Sequence, residues 1–307
     1  MSERIALIGV PTSAGAHHAG QDAAPAAVRA AGFVERLTGA GLDVQDRGDL
    51  PSALFVQDRP DSTARNLDAV VEVARGVADA VATAIADDRL PVLLGGDCTI
   101  TLGMVAGAQR HFPSIGLLYL DGDADLATPE ATRSGVLDAM GVAHLLGLTD
   151  NALSRIGSRW PLLTDDRLAM LGYDEADPDT YRAEVVAARP GLHRRSETEL
   201  RADPAGVARA AVQAVTAAVP DVAVHVDVDV VDSGDLPLGN FPHYGGGLTL
   251  AATAEALAEL FAAPGLRAVA LTEVNPSYEP TGAALRRYVD AVAGTFAAAR
   301  MGVRAGR

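Results

Sequence analysis

The sequence predicts an α/β protein with three layers, in which helices cover both faces of a central parallel sheet. Two observations predict this class. Short apolar runs of strand length alternate along the chain with Ala-rich stretches of helical periodicity. The apolar runs are continuous, which is typical of strands buried on both faces. No linker-like or repeated segment divides the 307 residues, so we expect a single domain over 1–307.

The individual elements follow from this alternation. Apolar runs in the first half predict strands at 5–10, 91–94 and 116–120, and Ala-rich stretches predict helices at 24–39, 64–86 and 101–111. The second half repeats the pattern, with strands predicted near 168–172, 222–228 and 268–272 and helices near 204–219, 249–262 and 282–299. Helices that separate successive strands favour parallel pairing.

Composition narrows the classes of partner. The formal net charge of −15 opposes binding to phosphate backbones or anionic lipids, so we expect neither nucleic acid nor membrane as a partner. No apolar run reaches membrane-spanning length and the first residues lack a signal-peptide layout, so we expect a cytoplasmic protein. The acidic field favours a cationic substrate or metal ions, although solubility alone would also explain it. The single cysteine, Cys98, excludes an internal disulfide.

Four polar clusters each follow a predicted strand: GGDC at 95–98, DGDAD at 121–125, DVD at 227–229 and EVNP at 273–276. In parallel sheets, ligands bind beyond the carboxyl ends of the strands. Residues two apart in an extended chain project to the same side, so the aspartates at alternate positions of the second and third clusters should converge.

Five converging carboxylates would repel one another unless cations, basic partners or protons neutralise them. Lys and Arg are missing from these motifs. A polynuclear metal site is therefore the economical interpretation. A single D-x-D pair also occurs as a turn or helix cap, but four clusters in order favour the metal site.

The motifs resemble those of the arginase/agmatinase (ureohydrolase) superfamily. Five segments carry the resemblance: residues 95–99 are similar to G-G-D-H-S, 121–125 to D-A-H-x-D, 134–138 to S-G-N-L-H, 227–232 to D-V-D-x-x-D and 273–276 to E-V-N-P. It covers nearly the whole chain. It implies an arginase-type α/β fold, a homo-oligomer (trimer or hexamer) and two manganese ions that activate water for attack on a guanidinium carbon.

The resemblance also implies a set of metal ligands, in which two family histidines are replaced. The six positions are Cys98, Asp121, Asp123, Asp125, Asp227 and Asp229. Cys98 and Asp123 stand where the family has histidine, so the site would carry up to six negative charges instead of four. Cys98 also resembles the cysteine of a variant amidinohydrolase that acts on N-hydroxyarginine. A small buried apolar residue is the alternative reading of Cys98.

Departures continue around the substrate. Asp138 takes the position of the family's catalytic histidine, a proposed proton shuttle. Two asparagines that recognise the α-amino acid head group in arginases are replaced by Ala127 and Val136, which argues against free arginine. The resemblance implies catalytic roles for Asp125, Asp138 and Glu273 and substrate contacts for Ser134, Asp177, Glu273 and His243.

Histidines elsewhere could compensate for the two replacements. His225 lies two residues before Asp227, the pair His17 and His18 follows the first strand, and His243 lies in the segment FPHYGGG at 241–247. We expect a role other than metal ligation for each, because lone histidines are more often structural.

Three functional hypotheses remain open from the sequence. The first is metal-dependent hydrolysis of a linear amidine C–N bond in a modified guanidino compound, such as an N-hydroxyarginine-like or specialised-metabolite intermediate. The second is an enzyme that has lost the binuclear metal site and uses Asp138, Asp123 or Cys98 directly. The third is a catalytically silent homologue that serves as a binding partner.

Overall fold

A computed structural model describes residues 3–59 and 61–305. The strands in this part of the chain are β1 (Arg4–Gly9), β2 (Asp43–Asp49), β3 (Leu90–Leu94), β4 (Gly116–Leu120), β5 (Leu168–Leu171), β6 (His193–Arg195), β7 (Val222–Asp227) and β8 (Leu266–Thr272). They form one sheet in the order β2-β1-β3-β8-β7-β4-β5-β6. Every pairing is parallel, as the sequence predicts.

Helices cover both faces of this sheet. They are α1 (Ala24–Ala30), α2 (Phe33–Gly39), α3 (Leu67–Ala86), α4 (Ile100–Ala108), α5 (Gly141–Leu145), α6 (Ala183–Ala187), α7 (Glu197–Ala202), α8 (Pro204–Ala218), α9 (Leu250–Phe261) and α10 (Ala283–Ala305). One apolar core lies under α1, α2, α8, α9 and α10, and the other lies under α3, α4 and α5. The predicted three-layer α/β class is confirmed.

Alternate strand residues enter opposite cores. In β7, Val222, Val224 and Val226 pack in the first core, while Ala223 packs in the second. This period of two places His225 on the side of the sheet that α4 covers.

Strand β2 and strand β6 were not predicted from the sequence. Both lie at the edges of the sheet. β2 has the sequence DVQDRGD and β6 is only HRR, and neither has a buried residue, so no apolar run marks them. The predicted helix at 24–39 is in fact two helices, because Gly32 adopts a left-handed conformation between them (φ 92°). The short helices α5, α6 and α7 were also missed.

The strands that precede the four polar clusters lie side by side in the middle of the sheet, in the order β3-β8-β7-β4. Backbone hydrogen bonds join the loops that follow them: Gly95 N donates to Leu271 O at 2.7 Å, and Glu273 N donates to Gly96 O at 2.9 Å. The clusters therefore meet at one edge of the sheet.

Among the described residues, no helix has both the length and the apolar character needed to cross a membrane.

Candidate active site

The polar clusters line a cavity that opens to solvent at the carboxyl ends of the central strands. It brings together eight of the residues singled out in the sequence: Cys98, Asp121, Asp123, Asp125, Asp138, Asp227, Asp229 and Glu273. Apart from His17, every ionisable side chain of the lining is a carboxyl group or the Cys98 thiol. The site is therefore strongly acidic.

One half of the cavity is built around Cys98. Its Sγ donates a hydrogen bond to Asp227 Oδ2 at 2.7 Å and lies 3.6 Å from His225 Nε2. Donor atoms of these three residues and Asp121 lie within 4.8 Å of one another. Burial, together with the charge of Asp227, raises the pKa of the Cys98 thiol, so without a cation the thiol keeps its proton.

His225 is held from three sides beneath this half of the cavity. Its Nδ1 lies 2.7 Å from Thr101 Oγ1, its Nε2 lies 3.4 Å from Asp121 Oδ2, and its ring stacks on Tyr119 with centroids 3.9 Å apart. Burial lowers its pKa to about 3, so the imidazole is neutral. A neutral imidazole can place its lone pair or its N–H toward Asp121, depending on the tautomer.

In the other half of the cavity, Asp123 and Asp229 belong to the lining, and their donor atoms and that of the neighbouring His243 also lie within 4.8 Å of one another. His243 Nε2 is 3.7 Å from Asp123 Oδ1. Burial lowers the pKa of His243, but the nearby carboxylates of Asp123 and Asp229 raise it by more, to about 9. Burial raises the pKa of Asp123 to about 6.

Asp125 and Glu273 adopt left-handed backbone conformations, with φ of 50° and 62°. Such conformations are costly for residues with a Cβ and persist where the surrounding structure fixes them. Tyr119 Oη donates to Asp125 Oδ2 at 2.6 Å, and Gln21 Nε2 donates to Glu273 Oε2 at 2.9 Å. These contacts aim both carboxyl groups into the cavity.

Asp138 and Glu273 share the backbone N–H of Cys98. This group donates to Asp138 Oδ1 at 2.8 Å and to Glu273 Oε1 at 3.1 Å. Burial and the charge of Glu273 raise the pKa of Asp138 well above its usual range, and burial raises that of Glu273 to about 8. A protonated Asp138 can donate to the Glu273 carboxylate, so the pair holds a transferable proton.

The remaining carboxyl groups are also poorly neutralised by the protein. Burial, followed by the charges of neighbouring carboxylates, raises the pKa of Asp121, Asp125 and Asp227 well above the usual range. Asp121 Oδ2 and His243 Nε2 are buried atoms without a hydrogen-bond partner among the described residues. Oxygen and nitrogen atoms of this kind are metal ligands, so the donor set fits cations in both halves of the cavity.

Ser134 and Asp177, which were predicted to contact the head group of the substrate, do not line the main cavity. Ser134 lines an adjoining pocket that shares His17, Asp123, Ala139 and Phe241 with the main cavity. The Asp177 carboxylate accepts hydrogen bonds from the backbone N–H groups of residues 179 and 180, each at 2.9 Å, and lines neither pocket.

Sequence reasoning missed several residues that support the site. Tyr119, Thr101 and Gln21 orient functional groups through the contacts given above, and Asn240 and Phe241 line the cavity. Tyr119 reads as one more apolar strand residue and Gln21 lies in a loop without a motif, so no pattern marks either.

The fold and the site define an α/β protein with a carboxylate-rich candidate metal centre at the carboxyl ends of its strands. Comparison with known proteins makes this specific. The Arginase family model matches residues 3–298. The chain is 31% identical to an arginase of Bacillus caldovelox over 280 residues, which cover 89% of this chain and 91% of that protein. It is 29% identical over 304 residues to Arginase-1 of Homo sapiens, covering 96% and 92%.

The native structure of the Bacillus caldovelox arginase aligns with a TM-score of 0.82 at 28% identity, over 96% of this chain and 98% of that chain. The protein belongs to the arginase family. Proteins of this family are ureohydrolases, which generally depend on a pair of metal ions, act on small guanidino compounds and are commonly oligomeric. The resemblance read from the sequence motifs is therefore confirmed.

Proposed function

We propose that the protein hydrolyses a C–N bond in a modified guanidino or amidino compound, such as an N-hydroxyarginine-like or specialised-metabolite intermediate. The observation that carries the proposal is the convergence of seven carboxyl groups on one cavity, where the described lining residues include no Lys or Arg. Such a cavity favours a cationic group and metal ions together.

The donor set would hold two ions, for which manganese is the family's choice. The proposed ligands are Cys98, Asp121, Asp123, Asp125, Asp227 and Asp229. When bound, the pair supplies Lewis acidity that lowers the pKa of water and stabilises negative charge at the reacting carbon. We assign Asp125 a catalytic role through this ligation, since its strained backbone and Tyr119 fix its carboxylate.

The protein's own groups bind and orient the substrate. Glu273 would accept hydrogen bonds from the amidine nitrogens, as Gln21 and the Cys98 N–H already fix its carboxylate. Asp138 would pass a proton to the departing nitrogen, because burial and the charge of Glu273 raise its pKa and favour its protonated form. Proton donation by this carboxyl would replace the role that the family gives to histidine.

Substrate contacts outside the reacting group are weaker than in an enzyme for free arginine. Ser134 remains at the adjoining pocket, whereas Ala127 and Val136 are buried apolar residues where arginases have asparagines. Without those amides an α-amino acid head group loses hydrogen-bond partners, which costs selectivity for it. We therefore propose a substrate with a different or a masked head group.

The test is a screen of the manganese-loaded protein against guanidino and amidino compounds, with detection of urea, hydroxyurea and ammonia. Glu273→Gln is the matched control, since it keeps size and removes the charge. We expect turnover of at least one compound, loss of activity with a chelator and recovery with manganese. Activity that survives chelation would favour direct chemistry by Asp138, Asp123 or Cys98. Silence of the fully loaded protein across the screen would contradict the proposal and favour a binding partner.

A further inference from the structure

We propose that His243 is a metal ligand, which supplies from a different loop the nitrogen donor that the second polar cluster lacks. In this arrangement His243 Nε2, Asp123 and Asp229 hold one of the two ions. The inference rests on the metal centre of the proposed function, but not on the identity of the substrate. It also departs from the substrate-contact role that the sequence suggests for His243.

The distance between His243 and Asp123 suits two ligands of one ion. Nε2 of His243 lies 3.7 Å from Asp123 Oδ1. That separation is too long for a hydrogen bond. It suits two donors of the same ion, because bonds of about 2.0–2.2 Å place neighbouring ligand atoms roughly 3–4 Å apart. The donor atoms of all three residues already lie within 4.8 Å of one another, so one ion can reach them after small shifts.

Two buried polar atoms at the site lack hydrogen-bond partners among the described residues. His243 Nε2 is buried and has no hydrogen-bond partner among the described residues, and the side chain is only 16% exposed. In the cavity lining, Asp121 Oδ2 is also unpartnered, in a side chain that is 3% exposed. A buried polar atom normally has a partner, so the unpartnered Nε2 of His243 beside Asp123 and Asp229 fits the role of a cation ligand.

The loop that carries His243 is anchored to the chain that follows the DVD cluster. His243 N donates to Ser233 Oγ at 3.1 Å, and Ser233 N donates back to His243 O at 2.8 Å. The ring of Phe241 packs edge-on against the imidazole with centroids 5.7 Å apart. A backbone fixed by Ser233 and a ring packed against Phe241 leave His243 little further freedom to lose when it binds an ion.

The charge of the site explains why a histidine would accompany Asp123. Asp123 alone would add a further negative charge to a cavity that six other carboxyl groups already line. On binding the ion, His243 would release its proton and contribute an uncharged nitrogen donor, which first-row divalent metals accept. The pair of Asp123 and His243 would thus replace a single histidine of the family motif.

The test measures binding of Mn²⁺ by titration against a competing indicator, with ion stoichiometry from elemental analysis and EPR spectra of the loaded protein. The variants are His243→Ala, the similarly sized His243→Phe, and His111→Ala as a control at an exposed histidine outside the cavity. We expect the wild type and His111→Ala to bind two ions with an exchange-coupled EPR signal. Both His243 variants should bind the second ion about tenfold or more weakly and show an uncoupled signal.

Transfer of the histidine completes the test. In the double variant Asp123→His/His243→Ala, the nitrogen returns to the position that the family uses, and we expect recovery of the second ion and of the coupled signal. Equal affinity for both ions in wild type and both His243 variants would overturn the inference while leaving the proposed function intact. A wild type that binds no ion would overturn both.

Discussion

At the scale of single residues, Cys98 and Asp138 distinguish this protein from the family pattern most sharply. Both replace histidine, and the structure places them in contact, because Cys98 N donates to the Asp138 carboxylate at 2.8 Å. The Cys98 thiol donates a hydrogen bond to Asp227. The sequence left open whether Cys98 is a ligand or a small buried residue. Its place among His225, Asp121 and Asp227 favours the ligand.

Cobalt spectroscopy separates these two readings of Cys98. If the thiolate binds an ion, the protein loaded with Co²⁺ should show a sulfur-to-metal charge-transfer band in the near ultraviolet, since a coordinated thiol is deprotonated. Cys98→Ser should retain the bound Co²⁺ and lose the band. Bound Co²⁺ without a charge-transfer band in the wild type would contradict ligation by Cys98.

Substitution of Asp138 should lower the catalytic rate. Asp138→Asn keeps an oxygen that can accept from Cys98 N but removes the transferable proton. We expect kcat on any compound that the wild type turns over to fall by about 10²–10⁴, the range of general acid catalysis. Metal content should stay unchanged, as measured by elemental analysis on the same sample. A variant with full kcat would show that the proton comes from elsewhere.

Part of the site followed from the sequence because the carboxyl ends of parallel strands share one edge. Spacing by two within DGDAD and DVD, together with the family motifs, anticipated the convergence of Cys98, Asp138, Glu273 and the aspartates. The family resemblance placed His243 at the substrate, but its approach to Asp123 and Asp229 was not anticipated, since the path of 241–247 depends on contacts with Ser233. The Asp177 carboxylate accepts hydrogen bonds from the backbone of its own loop, and its contact with the substrate stays a prediction.

At the scale of elements, the buried strands and long helices were predictable and the edges were not. The central strand β7 is wholly buried, which gives it a continuous apolar signal. The edge strand β2 pairs with one neighbour and exposes most of its residues, so its polar sequence resembles a loop. Backbone hydrogen bonding, which side-chain patterns do not report, makes it a strand.

Two glycines in the loop that carries His243 give an element-scale prediction. Gly245 and Gly247 both have positive φ, 73° and 75°. A Cβ at Gly245 meets nothing within 4 Å, whereas one at Gly247 would lie 2.7 Å from the backbone N of Asp232. We expect Gly245→Ala to cost about 1 kcal/mol, the usual left-handed penalty, and Gly247→Ala to cost about 2–3 kcal/mol because steric overlap adds to it.

Urea denaturation of the metal-loaded protein measures the loss in free energy of unfolding for Gly245→Ala and Gly247→Ala. Gly247→Ala should also weaken binding of the second ion, because a shift of this loop moves the His243 ring. Equal destabilisation by the two substitutions would show that the loop can relax around Asp232.

At the scale of the whole molecule, burial of the carboxyl groups in the cavity makes the stability of the folded protein depend on pH. Burial raises the pKa of Asp123 from 3.8 to about 6 and that of Glu273 from 4.5 to about 8. Groups whose pKa is higher in the folded state bind protons more tightly there than in the unfolded chain. Their contribution to the free energy of unfolding is fully present below the pKa of the group in the unfolded chain. It is lost as pH rises through the pKa of the group in the folded protein.

Metal-free protein should therefore become less stable as pH rises from about 5 to 8, by about 1.4 kcal/mol per pH unit for each excess proton bound in the folded state. Bound cations replace those protons, so saturating Mn²⁺ should remove the decline. Thermal unfolding in chelator and in Mn²⁺ across this range measures the difference. Glu273→Gln is the control and should flatten the upper part of the metal-free curve. A metal-free Tm that stays level or rises would contradict the assigned protonation.

The central claim is that the acidic cavity is a binuclear metal centre, and elemental analysis of the purified protein tests it most directly. The samples are wild type and Asp227→Asn, each before and after incubation with Mn²⁺. The account predicts about two ions per chain in the wild type, as two-metal hydrolytic sites require, and loss of ions in Asp227→Asn without unfolding. A correctly folded wild type that binds no ion after incubation would contradict it.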